Sequence, residues 1–549
     1  MKGRMWLSGV FAALGTSLLV ATAMVGSAAG GNQSPAAQER VGGTWRIVGT
    51  SNIDHWDPAL AYFTHSWNMG TAAQLRMFYY PMVNGPRNQR IEPMAAAGFP
   101  RVSNRGRTYT IRIKRGFRFS NGARVTAASF ARALARGKNN ALQSPASSFL
   151  DDVRSWRVLG GGYTLRINLR VVAPDFVARL TMPFFSAVLP SAPLGAEVTN
   201  CPCHSAGPYY VRDWDRATAG GSFVAVRNPF WRNNRAPWRA LRFPLNVSQI
   251  NYRVVPDLAT QRLMCDRNEA DICGAPTAQY QEIARQHGIN RGRFWVRPDL
   301  LVWRVDMNTS RGIFQNNPRL RRAVNFAIDR RFMVAQHGYL AGRRTDQFLP
   351  YGMPGFREWN IYPVRGPNLS VASSLARGNT RGGRAVFYTF NRAQGPAIAQ
   401  SVQFNLNRIG VDVEIRQFDR VVQNQRAATR GEPFDMTLEG WHADYPDPAN
   451  FINVLLDGRR IQAENNVNSS YFTGNGVARY YRRLDQAYRA AGTTRLRRYG
   501  VLDRDILRNG APVASYISGN IRNFLGPDAG CYTYSPQSGH AWVAVCKTR

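Results

Sequence analysis

The stretch that most constrains this chain runs from Phe434 to Pro448. Phe434-Asp435-Met436-Thr437-Leu438-Glu439-Gly440 is an apolar, strand-like run, and Trp441-His442-Ala443-Asp444-Tyr445-Pro446-Asp447-Pro448 follows it. Proline fixes φ and carries no backbone donor, so neither strand nor helix continues through Pro446 and Pro448. The chain must leave a sheet here and turn. The result is a rigid ledge, with Trp441 as an apolar wall and Asp444 as a fixed negative charge. Such a ledge suits a small molecule bearing an ammonium group. The same residues also fit a plain strand end closed by a proline turn.

A length of 549 residues allows two or three packed units, with a core large enough to need no staples. Hydrophobic residues at 44% and aromatics at 11% describe a folded chain. Met1-Lys2-Gly3-Arg4 is basic, Trp6 to Val25 is uncharged and largely apolar, and Ser27-Ala28-Ala29 supplies small residues. That order predicts a secretory signal over 1–29, followed by a polar tether over 30–40. An uncleaved anchor is the alternative, since the run approaches the ~20 residues that span a bilayer. No cysteine closes the leader, so a lipid anchor is not expected.

Six cysteines in an exported chain favour disulfides. Cys531 and Cys546 bracket a hairpin-like segment, and Cys265 and Cys273 bracket a short turn into a strand. Cys201-Pro202-Cys203 would close a strained one-residue loop. Six cysteines allow 15 pairings, so connectivity stays open. Cys203-His204 has no second cluster to complete a metal set, and the seven histidines are scattered; neither metal nor cofactor is expected.

The net charge is +37. Lysine occurs only at Lys2, Lys114, Lys138 and Lys547, so almost all of the 71 basic residues are arginine. They are spread along the chain rather than gathered into an arm or recognition helix, which argues against nucleic acid. An acidic habitat and attraction to an anionic cell envelope both fit better. Charge of this kind concerns partners and solubility, not fold.

Thr44 to Gly49 alternates like a first strand, and Met69 to Val83 reads as a helix containing Phe78-Tyr79-Tyr80. Thr108 to Asn121 gives two alternating strands about Arg115-Gly116, then a turn at Asn121-Gly122. Thr126 is placed to cap the next helix. Pro318 to Arg330 is an amphipathic helix with Leu320, Val324, Ala327 and Ile328 on one face. Ala385–Phe390, Ala397–Ile409 and Val411–Phe418 form a βαβ unit, so the sheet is parallel or mixed. Tyr480–Tyr488 and Arg495–Leu507 read as closing helices, and Pro512–Ile517 as a late strand.

Several of these segments resemble, in order, the extracellular solute-binding proteins of peptide-type ABC importers. The W-x-A-D-Y-x-x-P turn of that family matches Trp441 to Pro448. Ile53 to Ala59 is similar to its opening "xLDP" turn, and Phe78-Tyr79-Tyr80 stands where it has a "YEGL"-like segment. Thr108 to Phe130 resembles "TYTFxLRxGVKFSDGxPVTAxDF", with Asn121 and Ser129 at usually acidic positions. Gly207 to Val211 resembles "GTGPYxL", Arg227 to Trp231 "RNPxYW", and Glu269 to Ile272 "GEaDI". Asn308-Thr309 resembles the end of "FNT", and Pro318 to Arg330 resembles "dxrVRqAinyAiDR".

The resemblance implies an α/β, two-lobed periplasmic-binding-protein fold of the large three-domain type, with a hinged cleft. Lobe I would comprise 41–85, 197–300 and 511–549, an inserted domain 86–196, and lobe II 301–510. It implies that Asp444 takes a peptide's α-ammonium, Gly440 and His442 lend backbone groups, and Trp441 packs beneath. Tyr516 matches a tyrosine-rich strand near the cleft, with ordinary packing as the alternative. Arg420 stands where relatives carry an aromatic; it could pair a carboxylate or be a solvated surface arginine. Leu438 occupies a position where some peptide binders have arginine. The implied role is an exported receptor, a monomer, delivering short peptides to a membrane permease. Other solutes of the family are nickel complexes, opines, glutathione and oligosaccharides.

Enzyme signatures are missing: no Gly-x-Ser-x-Gly elbow, no His-Glu-x-x-His and no phosphate-cradling loop occurs. Asp444 and Asp447 lie three apart on one turn, whereas a retaining glycosidase needs facing carboxyls ~5–5.5 Å apart.

Overall fold

The computed structural model describes residues 42–548, less 218–219, 233–235, 242, 244, 392, 465, 536 and 538. The leader and tether expected over 1–40 lie outside the described residues. An eleven-stranded mixed sheet forms the frame. In chain order its strands are β1 (Thr44–Gly49), β2 (Tyr209–Asp215), β3 (Ser222–Arg227), β4 (Gln249–Val254), β5 (Ile272–Cys273), β6 (Phe294–Met307), β7 (Gly342–Arg344), β8 (Arg384–Phe390), β9 (Asp412–Phe418), β10 (Met436–His442) and β11 (Val513–Leu525). Their spatial order is β9-β8-β10-β6-β11-β5-β1-β4-β3-β2, with β7 added on β11.

β6 and β11 are the long members, and they are why two lobes share one sheet. Their first and last residues pair differently. Phe294–Pro298 of β6 faces Asn520–Phe524 beside β5, whereas Val302–Asp306 faces Val513–Ser518 and, on its other side, β10. The ladder lapses between Pro298 and Val302. Proline has no N–H to donate, so a bend there loses few hydrogen bonds. The expected lobe boundary at 300/301 falls inside this strand rather than in a loop.

One core joins β1–β4, the segment before Phe185 and the C-terminal Trp542–Val545. It also takes in the inserted four-stranded sheet (Arg101–Ser103, Thr108–Arg112, Val153–Leu159, Thr164–Leu169). Two further cores cover the part of the sheet from β9 to β11, one under Leu320–Ile328 and Ile398–Leu406, the other under Phe451–Leu456 and Tyr499–Ile506. Among the described residues no helix is long and apolar enough to cross a membrane.

Most expected elements form. Thr126 and Ser129 make a reciprocal capping box, so the serine at a usually acidic position completes the cap. Gly122 takes φ +86° in the Asn121-Gly122 turn. β8, the Gly395–Asn407 helix and β9 form the parallel βαβ unit. Three elements differ. The helix expected over 69–83 is Thr64–Ala73, and Phe78–Tyr79 is a short strand paired with Glu92–Pro93. Leu75 to Met82 is buried throughout, and a run apolar on every side carries no period to separate helix from strand. The second half of Thr108–Asn121 forms only a single bridge, Arg118 to Arg124. The late strand continues to Leu525, eight residues beyond Ile517.

Three disulfides close, Cys201–Cys203, Cys265–Cys273 and Cys531–Cys546, so all three local pairs join, the one-residue loop included. The last encloses the small hairpin Tyr534–Ser535/Gly539–His540.

Gly207 lies against the end of the Thr64–Ala73 helix and donates to Ala73 O at 2.8 Å. A Cβ there would come within 2.3 Å of the Ala73 carbonyl. Gly207→Ala is therefore expected to cost about 1–3 kcal/mol or more by overpacking. Gly98→Ala, with open space around it, should stay within about 0.5 kcal/mol. Urea melts of the two variants check this; equal midpoints would refute it.

Candidate functional site

β10 lies antiparallel to β6, pairing Gly440 with Trp303 and His442 with Leu301. The strand ends as Ala443 donates to Leu300 O, and the turn through Pro446 and Pro448 leads into the helix Ala449–Leu456. Asn450, in that helix's first turn, reaches back across the ledge. Its Nδ2 donates to Asp444 Oδ2 at 2.7 Å, and its Oδ1 accepts from Asp444 N at 3.0 Å and from Trp441 Nε1 at 3.2 Å. One asparagine thus fixes both the acid and the indole.

Groups from distant segments complete the setting. Tyr62 Oη donates to Asp444 Oδ1 at 3.1 Å, and Gln537 Nε2 donates to Asp444 O at 3.1 Å. A cavity of about 180 Å³ opens here, lined by Tyr62, Thr64, Trp67 and Gln537 on one side and by Trp441 to Asp444 on the other.

Asp444 is only 6% exposed. Burial pushes its carboxyl up from the usual 3.8 to about 6, against the pull of Asn450, Tyr62 and the charge of His442. The gap corresponds to about 3 kcal/mol of penalty on the charged form. His442 Nε2 lies 2.7 Å from Asp299 Oδ1. Burial lowers that imidazole, but the Asp299 charge and hydrogen bond outweigh it, and the net displacement is upward.

The remaining sequence candidates gather around Trp303 instead. A Cβ on Gly440 would meet that indole at 2.9 Å, so glycine lets the strands carry it. The Arg420 guanidinium lies 5.3 Å from the Trp303 ring and 5.1 Å from Phe390, and donates to Gln423, Leu438 O and Glu439. It is a packed, engaged cation rather than a solvated one. Tyr516 is fully buried, its hydroxyl 2.9 Å from His337 Nε2. Neither Arg420 nor Tyr516 lines the Asp444 cavity. Leu438 is buried in the core.

Sequence reasoning missed Tyr62, Trp67, Asn450, Asp299 and Gln537. Asn450 carried a signal, a buried-type polar residue six positions after Asp444 on the next helix. The others come from distant segments, and no local pattern marks them. Below the ledge, Tyr445 Oη and Tyr488 Oη each donate at 2.8 Å to Asp175 of the insert, whose other partner is Arg179. Arg495 grips Asp447 with two bonds of 2.7 and 2.8 Å. Among the described residues no group of three metal-ligating side chains comes together.

The middle-region family model for bacterial extracellular solute-binding proteins, family 5, matches residues 90–463, more than half of the chain. The chain belongs to that family. Its expected solute-binding role and two-lobed α/β fold hold. Glutathione-binding protein GsiB of Salmonella choleraesuis (strain SC-B67) is 23% identical over 405 residues, 72% of this chain and 73% of its own. Among solved structures, clavulanic acid biosynthesis oligopeptide binding protein 2 superposes with a TM-score of 0.83 at 22% identity, covering 93% of this chain and 96% of its own. The periplasmic DppA of Helicobacter pylori in complex with peptide STSA gives 0.76 at 20% identity, covering 93% and 99%. In this family 5 member the ledge, cavity and buried acid sit within that shared frame.

The displaced carboxyl has a signed consequence for the ligand-free protein. A folded-state value near 6, above the ordinary 3.8, gives stability that is complete below about 3.8 and lost as pH rises through about 6. Asp444→Asn, permanently neutral, should therefore exceed wild type by about 1–3 kcal/mol at pH 7.5 and match it near pH 4. Thermal melts across that range check it, and a difference that does not vary with pH would refute it.

Proposed function

We propose that this family 5 protein is the extracellular receptor of an ABC importer that takes up short peptides, with Asp444 holding the ligand's α-ammonium. The observation that carries this reading is a buried carboxylate, held by neutral donors, on a cavity to which both lobes contribute. An ionised carboxylate offers about four acceptor sites, and Tyr62 and Asn450 use two of them. An ammonium at the remaining positions would supply the missing positive charge in a dry setting, a charge-assisted bond worth about 1.5–3 kcal/mol. Trp441, held by Asn450, packs beside it. Gly440 and His442 lend backbone groups, while Arg420 and Tyr516 bound the neighbouring Trp303 cluster.

The assignment of 41–85, 197–300 and 511–549 to lobe I, 86–196 to the insert and 301–510 to lobe II goes with this reading. So do an exported, monomeric state, a membrane permease as partner and attraction of the basic surface to an anionic envelope. A leader over 1–29 would direct that export. Relatives named for glutathione support a free-amine peptide, since glutathione carries an α-ammonium. A second reading is a solute such as an opine, as in AgaA in complex with agropinic acid. A ligand without a cationic nitrogen would leave Asp444 buried and unpaired, which is costly.

Native mass spectrometry of the purified protein tests the ligand class directly. Asp444→Asn should weaken binding of a free-amine peptide by about tenfold or more, since tenfold is 1.4 kcal/mol. Binding of the N-acetylated analogue should be unchanged. Wild-type affinity for the free-amine peptide should fall about tenfold from pH 7 to pH 5 as Asp444 protonates. Titration calorimetry reads both, and equal affinity of wild type and variant for the free-amine peptide would remove the assignment.

A further inference from the structure

The inserted segment is the most one-sided part of the chain. Between residues 93 and 174 there are fifteen basic residues and two carboxylates, Asp151 and Asp152. Asp152 faces Arg179 at the base of the sheet. The remaining charge is arranged by strand register. Arg101 pairs with Thr110, Thr110 with Arg166, and Arg166 with Arg157, so one row across the four strands carries three guanidinium groups. Tyr109, Ile111, Leu165 and Ile167, between these positions along the strands, are buried. The arginine row therefore lies on the outward face.

Arg157 and Arg166 stand directly opposite each other, an arrangement that destabilises a sheet when both are charged. No ion pair to Arg101, Arg157 or Arg166 occurs among the described residues, and Arg166 Nε has no hydrogen-bond partner. The adjacent row is Ser103, Thr108, Asn168 and Ser155, joined by Thr108–Asn168 and Asn168–Ser155 hydrogen bonds of 3.1 Å. Beyond it, Arg107, Arg154 and Arg170 rim a shallow hollow. A core-facing reason for this pattern is absent, because the opposite face supplies the core.

We infer that the outward face of the inserted sheet is a docking surface for a phosphate-bearing anionic polymer of the cell envelope. It deepens the envelope association proposed above and rests on it. Guanidinium groups pair a phosphate through two parallel bonds, and the neighbouring hydroxyl and amide row can donate to a further phosphate oxygen, which a carboxylate lacks. The two rows hold no aromatic or aliphatic side chain, whereas surfaces that enter a bilayer present Trp, Phe or Leu. None of the residues of either row lines the Asp444 cavity, so a docked polymer need not occupy it.

The experiment measures binding of the whole protein to immobilised polygalacturonate and to polyphosphate as salt is raised, with phosphatidylcholine/phosphatidylglycerol vesicles as a third arm. Three proteins are compared: wild type, the row variant Arg101→Gln/Arg157→Gln/Arg166→Gln, and a control of equal charge loss, Arg285→Gln/Arg331→Gln/Arg377→Gln. On polyphosphate the row variant should reduce the slope of log affinity against log salt by about 3, and the control by less than about 1. A row-specific loss on polygalacturonate alone would overturn phosphate as the recognised group. Peptide affinity should match wild type in both variants, which shows them folded. Equal losses in the row variant and the control would overturn the face while leaving general envelope attraction standing. Wild type that binds neither the polymers nor the vesicles would overturn both. A row-specific loss confined to vesicles would overturn the polymer in favour of a bilayer.

Discussion

The two long strands β6 and β11 are the constraint on which the rest depends. β6 crosses the proposed boundary at 300/301 and β11 pairs along both of its halves, so sheet order, cleft and ledge follow from where each changes partners. β10 can deliver Asp444 to the cleft because it pairs with the far half of β6 and ends at Leu300, where the β6–β11 ladder has lapsed. Gly519, opposite that gap, leaves room for Leu301: a Cβ would come within 2.9 Å of its side chain. The same few residues thus loosen the sheet and end the strand that carries the acid.

Against this frame the electrostatics of Asp444 stand out. In a chain with 71 basic and 34 acidic residues, a buried carboxylate readily finds an arginine. Asp57 has Arg136, Asp175 has Arg179, Asp306 has Arg304 and Asp447 has Arg495. Asp346 and Asp503 lack one, but backbone N–H groups of Ile361, Tyr362, Phe348 and Leu349 hold them. Asp444 has neither; its carboxylate accepts from a phenol and an amide side chain. Two neutral donors offset only part of the burial cost, and its carboxyl stays pushed up to about 6. Asp306 and Asp503 are pushed up as far, to about 6 and about 7, but neither lines the Asp444 cavity. What sets Asp444 apart is its place on the cavity, where the proposed ammonium would supply a charge that no arginine does.

How much of this could be read from the sequence depended on whether the cause was local. Pro446 and Pro448, the Thr126 cap, Pro318 and the Asn121-Gly122 turn act within a few residues, and each structure follows from them. The capping box shows the limit of motif matching: Ser129 departs from the acidic pattern yet does the same job through its hydroxyl. The run Leu75–Met82 misled because burial on all sides erases the period that distinguishes helix from strand. Tyr62 and Gln537 were invisible for a different reason. They reach Asp444 from 382 and 93 positions away, through a lobe contact that no spacing encodes. The expected aspartate could be found, but the groups that set its charge could not.

That split has a consequence for how such a cleft closes around an ammonium. Asn450, on the same lobe as Asp444, holds the acid whether or not the lobes meet. Tyr62 and Gln537 belong to the other side and contribute only once they meet. Bringing that side up exchanges water around the carboxylate for one phenol, which is a poor exchange for a charge. Closure over an empty site therefore works against the ionised acid, and closure over a cationic ligand removes the penalty. A ligand shifts a two-state equilibrium only by its differential affinity for the two states. In the proposed receptor that difference would be concentrated on one atom pair, ammonium against carboxylate. Tyr445 and Asp175 then hold the lobes together below the site through contacts that never touch the ligand.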